Sequence, residues 1–463
     1  MSRLFASEKG FIFTMAGAAI GLGNIWRFPY LVANYGGGLF LLLYLLTLVG
    51  IGYFLLLGEL SFGKTTRLNV CDGTRIIAKE EKSSHQSFWS KFIGGTSLTT
   101  AFMMNIAYLI AMGWILFYVI QNFLYLSDIS SNPITTKTFS ELTTSYPKQL
   151  FWIFVCLLSA AWLFSKGTIK QIERIATLFI PASFFILIYL IFWSLTQDGA
   201  LEGAKSVFKP DWVAIGVTDQ GFDFKQFIRV LFAVISQVLY SLSIGMGVAY
   251  IYGTCVTKET NVVSSARYII VLDTLFSILA AVFVLSVSRA YDIPKDIGFN
   301  LTFVSLPVAF EQMIGGSFVM FLFYGVLYMA AFTSLVSHFV PLIFFLNDKY
   351  RISKNTAFAL LATVEFLLVA VVLLSISEKT YLTFLGFNLF DFVNLATDSM
   401  LLISVFAMSL FIGWIGFKPI YHKIDKEFNE ALPQTSAEYT KTIFRFIAPF
   451  VLILVLLNLF VHF

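Results

Sequence analysis

Charge is scarce in this chain: 13% of its 463 residues are Asp, Glu, Lys or Arg, while 58% are hydrophobic and 17% aromatic. Soluble domains carry about 25% charged residues, so the scarcity excludes an ordinary water-soluble fold and points to an all-α polytopic membrane protein. Cysteine is rarer still: Cys71, Cys156 and Cys255 lie in apolar or cytoplasmic-looking segments and suggest no disulfide framework. No HExxH, P-loop or CxxC motif is present, and no nucleophile clusters with a base and an orienting partner, which argues against a membrane enzyme. The net charge of +4 is scattered over loops and gives no nucleic-acid surface. The opening MSRLFASEKG runs into a long apolar stretch without an A-x-A-like cleavage site, so it reads as retained.

What is abundant is apolar sequence in runs of roughly 20 residues, the length that spans a bilayer. Such runs fall at about 10–35, 39–63, 92–124, 149–165, 174–196, 227–255, 262–288, 315–346, 355–376, 382–416 and 443–462, which makes 11 transmembrane helices. An N-terminus on the cytoplasmic side of the plasma (bacterial-type inner) membrane puts 21 of the 31 Lys and Arg residues inside, as the positive-inside rule requires. The polar stretches 64–91 and 417–440 then read as cytoplasmic loops, and 125–148, 197–225 and 289–313 as the longer outer loops. The last of these, with Pro294, Gly298 and Pro307, is suited to capping an outward cavity. No soluble domain is expected: residues 1–463 form one transmembrane unit.

One stretch does not suit lipid. Residues Gly17 to Tyr30 read GAAIGLGNIWRFPY inside an otherwise spanning run. Gly17, Gly21 and Gly23 each weaken a helix by ~1 kcal/mol, and Asn24 and Arg27 add an amide and a permanent cation. Backbone that unwinds at membrane depth needs protein or a watery cavity to satisfy its free groups. Exposed carbonyls can hold a cation and exposed N–H groups a carboxylate, so the stretch reads as an ion and substrate site; close helix packing by small residues is the alternative. A second break, SLSIGMG at Ser241 to Gly247, sits in the sixth helix. Interrupted helices in corresponding positions of two five-helix halves, about 10–196 and 227–416 with an additional helix at 443–462, point to a midplane site in an inverted-repeat transporter, an arrangement that resembles the leucine-transporter fold.

The segments GLGNIWRFPY (Gly21 to Tyr30), NYGGG (Asn34 to Gly38), GELSFGK (Gly58 to Lys64), QVLYSLSIGMG (Gln237 to Gly247), FVSLPVAF (Phe303 to Phe310) and AAFTS (Ala330 to Ser334) carry a resemblance to the neurotransmitter:sodium symporter family, and most closely to its eleven-helix bacterial amino-acid transporters. The resemblance implies two Na⁺ sites and no organic cofactor. Its Na1 set maps onto Ala19, Asn24, Ser241 and Asp273, and its Na2 set onto Gly17, Ile20, Ala330, Thr333 and Ser334. It implies that Leu22, Gly23 and Tyr108 hold the substrate carboxylate and that carbonyls of Ala19, Tyr240, Ser241 and Ser243 receive its amino group, with Ala18, Met104, Met246, Ser334, Ser337 and His338 around the side chain. Tyr240 resembles a lid, Arg27 with Asp391 an outer gate, Arg3 with Asp348 an inner gate, and Glu59 the carboxyl that braces the broken sixth helix. For Tyr108 and Glu59 the alternatives are an ordinary packing tyrosine and a snorkelling end residue.

The family's usual Na1 asparagine is Asp273 here, one turn before Ser277. Chloride-dependent members hold Cl⁻ with that serine and equivalents of Tyr44, Gln237 and Ser241. A permanent carboxylate implies chloride-independent transport, with Asp273 taking a proton on the empty return step. His338 stands where relatives carry an aliphatic or small residue, and a histidine in a membrane helix faces a cavity or a partner; capping a neighbouring carbonyl is its alternative role. Gln171 replaces a glycine that permits unwinding of the fifth helix ahead of Pro181. The expected function is Na⁺-coupled symport of a hydrophobic or aromatic L-amino acid, tyrosine, tryptophan or leucine-like, by alternating access; an amino-acid receptor or channel on the same scaffold is the alternative. The oligomeric state is not encoded in any of these features.

Overall fold

The computed structural model describes residues 4–124, 137–219, 221–293, 299–313, 315–376, 383–384, 386–431 and 436–461. Arg3, Pro294 and Gly298 lie outside them. Besides two short loop helices, Thr138–Thr144 and Ala200–Ser206, the helices in chain order are α1 (Glu8–Ala19), α2 (Gly23–Asn34), α3 (Gly38–Thr66), α4 (Val70–Glu80), α5 (Gln86–Leu124), α6 (Tyr146–Ser165), α7 (Ile169–Ser194), α8 (Phe224–Ser241), α9 (Val248–Thr254), α10 (Val262–Ala290), α11 (Leu301–Glu311), α12 (Gly316–Tyr350), α13 (Lys354–Ile376), α14 (Leu389–Glu430) and α15 (Ser436–Asn458). Among the described residues 9 unbroken helices are long and apolar enough to cross a membrane, and α1 with α2 make one more crossing bent by 57°. The sixth apolar run is split into α8 and α9, with a break between Ser241 and Val248.

Burial sorts the helices into an inner and an outer set. The apolar window of α12 is 72% buried and that of α7 28%, so α12 forms the centre of the bundle while α7 lies at its periphery. The inner helices approach closely where side chains are absent. A Cβ at Gly63 would strike the Tyr250 carbonyl and one at Gly253 the Leu60 carbonyl, so α3 and α9 cross almost backbone to backbone. That crossing carries Glu59 to the break in the sixth span.

Two stretches expected as cytoplasmic loops contain helices. Val70, Thr74, Ile77 and Ala78 are buried along one face of α4, which Asn69 caps by accepting the Asp72 N–H at 3.1 Å. Residues 417–430 extend the tenth span, with Ile420, Ile424 and Phe428 buried at helical spacing. Both are amphipathic helices lying against the bundle, and their polar outer faces hid a period near 3.6. In the third outer segment α11 forms as a short helix, and Phe299 packs edge-on against Trp26 at 5.0 Å and Trp114 at 5.1 Å. This places an aromatic plug over the α2 end of the broken span.

Candidate functional site

The site is built from the two ruptures. At the first, α1 ends at Ala19 and Ile20 takes an extended conformation, with φ −68° and ψ 103°. The chain resumes at Gly23 as a wide turn in which the Phe28 N–H reaches back to the Gly23 carbonyl, a geometry often found at functional positions. At the second, Ser243, Gly245 and Gly247 have φ of 51°, 82° and 70°. Such angles cannot continue a helix. The Gly245 N–H freed there donates to a Glu59 carboxylate oxygen at 2.7 Å, so Glu59 does brace the break.

The carbonyls released by the first rupture converge on α12. The Ser334 Oγ lies 3.2 Å from the Gly17, Ala18, Ile20 and Ala330 carbonyl oxygens. The Ala18 carbonyl also receives the Ser243 hydroxyl and the Ala330 carbonyl the Thr333 hydroxyl, but a hydroxyl has one proton to donate, so Gly17 and Ile20 compete for the Ser334 proton and a hard cation would satisfy the carbonyl left over. The Thr333 hydroxyl sits one residue away, 2.9 Å from the Ala330 carbonyl. A Cβ at Gly21 would crowd Ser334 Oγ at 3.1 Å and the Tyr108 hydroxyl at 2.5 Å, so only glycine leaves this crevice open.

A second polar cluster lies beside the same rupture. Asn24 Nδ2 donates to Asp273 Oδ1 at 2.8 Å, to Ser277 Oγ at 2.7 Å and approaches Ser241 Oγ at 3.1 Å. Ser241 donates to Asp273 Oδ2 at 2.6 Å, and the Asn24 oxygen accepts the Gly21 N–H at 2.9 Å. The buried Tyr44 phenol faces Asp273, Ser241 and Thr274. Of the chloride-site equivalents, Tyr44, Ser241 and Ser277 therefore surround Asp273. Gln237 instead bridges the Gly23 carbonyl at 3.5 Å and the Arg27 guanidinium at 3.4 Å.

Between these clusters lie the residues expected to meet a substrate. The Tyr108 phenol reaches the Leu22 backbone and the Ser334 hydroxyl, and His338 packs edge-on against the Tyr108 ring at 5.1 Å. His338 is buried with Nδ1 unpartnered. Ser243 donates to the Ala18 carbonyl at 2.8 Å, which ties the two ruptures together. Ala18, Ala19, Leu22, Met104 and Met246 are buried around them, and Gly23 is half-buried. Ser337 departs from expectation: its hydroxyl donates to the Thr333 carbonyl at 2.6 Å and receives the Tyr252 hydroxyl at 2.8 Å.

An outer cavity of about 590 Å³ is lined by Arg27, Tyr30, Arg229, Tyr240 and Asp398 among others. The Arg27 guanidinium stacks on the Tyr240 ring at 5.0 Å, and its carboxylate neighbour is Asp398. Asp391, expected as that partner, is exposed in the first turn of α14, where its N–H is capped by Asn388 at 3.0 Å. The two aspartates are seven residues apart, about two turns, so they share a face and only depth separates them. At the other end, Asp348 meets Asn69 at 3.4 Å. Sequence reasoning missed Glu173, whose carboxylate accepts the Ala6 and Ser7 N–H groups at 2.8 and 3.2 Å and lines a cavity of about 1210 Å³ with Ser7, Gln171 and Asn347. Its sequence surroundings, Lys170 to Arg174, read as a polar helix end, so nothing local singled it out.

The chain is 29% identical to an uncharacterized sodium-dependent transporter of Haemophilus influenzae, covering 98% of each protein, and 28% identical to one of Bacillus subtilis over 98% of this chain and 97% of the relative. Its structure matches the crystal structure of MhsT in complex with L-phenylalanine with a TM-score of 0.83 and 29% identity, covering 98% of this chain and 99% of that one. The profile described as the sodium:neurotransmitter symporter family matches residues 3–149 and 144–463. With ruptured spans, converging carbonyls and this match over nearly the whole length, the chain belongs to the sodium:neurotransmitter symporter family, a family of secondary transporters and not of enzymes.

Proposed function

We propose that this transporter imports a hydrophobic or aromatic L-amino acid with Na⁺ by alternating access, without a requirement for chloride. The observation that carries the reading is the ring of carbonyls from Gly17, Ala18, Ile20 and Ala330 around Ser334. Na⁺ held by the Gly17, Ile20 and Ala330 carbonyls with Thr333 and Ser334 ties α1 to α12, so its departure frees α1 to swing. A second Na⁺ sits among Ala19, Asn24, Ser241 and Asp273 and shares the substrate carboxylate, which couples the two bindings. For this ion the Asn24 side chain turns its oxygen from the Gly21 N–H toward the cation.

Backbone N–H groups of Leu22 and Gly23 with Tyr108 receive the substrate carboxylate, and the carbonyls of Ala19, Tyr240, Ser241 and Ser243 its ammonium. Tyr240 under Arg27 closes the outer side, with Asp398 completing the charge pair. The phenylalanine named in the MhsT complex and the neutral amino acids named for a bovine relative, 26% identical over 61% of this chain and 40% of that protein, support the substrate class. Met104 and Met246, both buried, with Tyr108 and His338 packed edge-on, support a large side chain, because methionine adapts to irregular shapes. Asp273, in place of a neutral residue, supports chloride independence. The protein works in the plasma membrane with its N-terminus in the cytoplasm, as the Lys and Arg distribution supports.

Uptake of a panel of radiolabelled amino acids into proteoliposomes, with and without an inward Na⁺ gradient, tests the reading. Saturable, gradient-dependent accumulation of phenylalanine, tyrosine, tryptophan or leucine is expected. Binding without accumulation would assign a receptor, and gradient-independent flux a channel.

A further inference from the structure

Outside the site, one polar pair sits alone at the middle of two spans. Glu365 is the central residue of the 23-residue α13 and Asn105 the central residue of the 39-residue α5. Both are fully buried. Asn105 Nδ2 donates to Glu365 Oε1 at 3.2 Å. The other atom of each group, Asn105 Oδ1 and Glu365 Oε2, is buried without any hydrogen-bond partner. Two acceptors, one on each of two groups already joined by a hydrogen bond, lack a donor.

One proton on Glu365 Oε2 resolves both. An ionised carboxylate accepts only, whereas the protonated acid gains one O–H donor. An amide and a carboxylic acid then close a ring of two hydrogen bonds, N–H to Oε1 and O–H to Oδ1. An ionised carboxylate held by a single amide N–H would leave a charge in the apolar interior, which is costly. The helices packed against α13 are α5, α6, α12 and α14. Their titratable groups within the spans include Tyr108, Cys156, Tyr328, His338 and Asp398, while Tyr118 and Tyr324 are bonded to the Phe303 and Thr302 carbonyls. Among the described residues, Asn105 supplies the one hydrogen bond to Glu365.

We propose that Glu365 is a proton-binding site in the transmembrane core, carrying a resident proton that pairs it with Asn105 in a two-hydrogen-bond ring and fastens α13 to α5. Asn105 lies between Met104 and Tyr108 on α5, so the ring steadies the turn that carries both.

The test is thermal unfolding and infrared spectroscopy on the purified full-length protein, read without transport. Glu365→Gln is the mimic of the protonated acid, since its amide can complete the same ring. It is expected to keep the wild-type unfolding temperature, while Glu365→Ala lowers it. A difference spectrum between wild type and Glu365→Gln at neutral pH should contain a protonated-carboxyl C=O band that moves in Asn105→Ala. A Glu365→Gln protein as unstable as Glu365→Ala would show that the charge is required and overturn the proposal. A wild-type spectrum without the band would overturn it independently of how the variants fold, and a band unmoved by Asn105→Ala would overturn the pairing.

Discussion

Asn24 Nδ2 lies 2.8 Å from Asp273 Oδ1, joining the end of the first rupture to α10. Ser241, at the second rupture, donates to the other oxygen of the same carboxylate at 2.6 Å. One side chain on an unbroken helix thus holds both broken ones, with its carboxylate next to the proposed Na⁺. Asp273→Ser should leave transport dependent on added chloride, while wild type keeps its uptake when gluconate replaces chloride. A large loss of wild-type uptake in gluconate would refute the role given to this carboxylate.

Ser334 meets four carbonyls with one hydroxyl. Removing a group that interacts with a charge costs about 1.5–3 kcal/mol, and each 1.4 kcal/mol is about tenfold in affinity. Ser334→Ala should therefore raise the Na⁺ concentration for half-maximal substrate binding by about tenfold or more. Scintillation proximity binding over a Na⁺ titration measures the shift.

Glu59→Ala leaves the Gly245 N–H without its carboxylate acceptor in a buried break. An unsatisfied buried donor costs about 1–3 kcal/mol, so the unfolding temperature and substrate binding should both fall. Glu59→Gln keeps an oxygen acceptor and should fall less; equal losses for the two would mean that the hydrogen bond is not what matters.

The outer gate gives a contrast between two aspartates on one helix. Asp398→Asn should depress uptake strongly, because Arg27 then faces the cavity without its carboxylate neighbour. Asp391→Asn, exposed at the helix start, should leave uptake near the wild-type rate. A reversed order in initial-rate measurements would return the gate to Asp391.

His338 Nδ1 is buried, unpartnered and set beside Tyr108. If it meets a substrate hydroxyl, His338→Ala should weaken tyrosine uptake more than phenylalanine uptake. An unchanged ranking in competition assays would leave His338 as a packing residue.

The sequence by itself determined the membrane class, the crossings and the ruptures at Gly17 to Tyr30 and Ser241 to Gly247. These are local properties: lipid imposes a length of apolar residues, and glycines with polar neighbours weaken a helix wherever they occur. The resemblance, not the composition, supplied the particular residues expected at the Na⁺ and substrate sites. Tertiary structure alone decided which aspartate of α14 reaches the depth of Arg27, where the Ser337 hydroxyl points, and that Gln237 turns to Gly23 and Arg27. It also brought Glu173 to the start of α1 and Glu365 to Asn105. Those partners are up to 260 residues apart in the chain, and helical periodicity assigns a face to a residue but neither its depth against a neighbour nor the neighbour it meets.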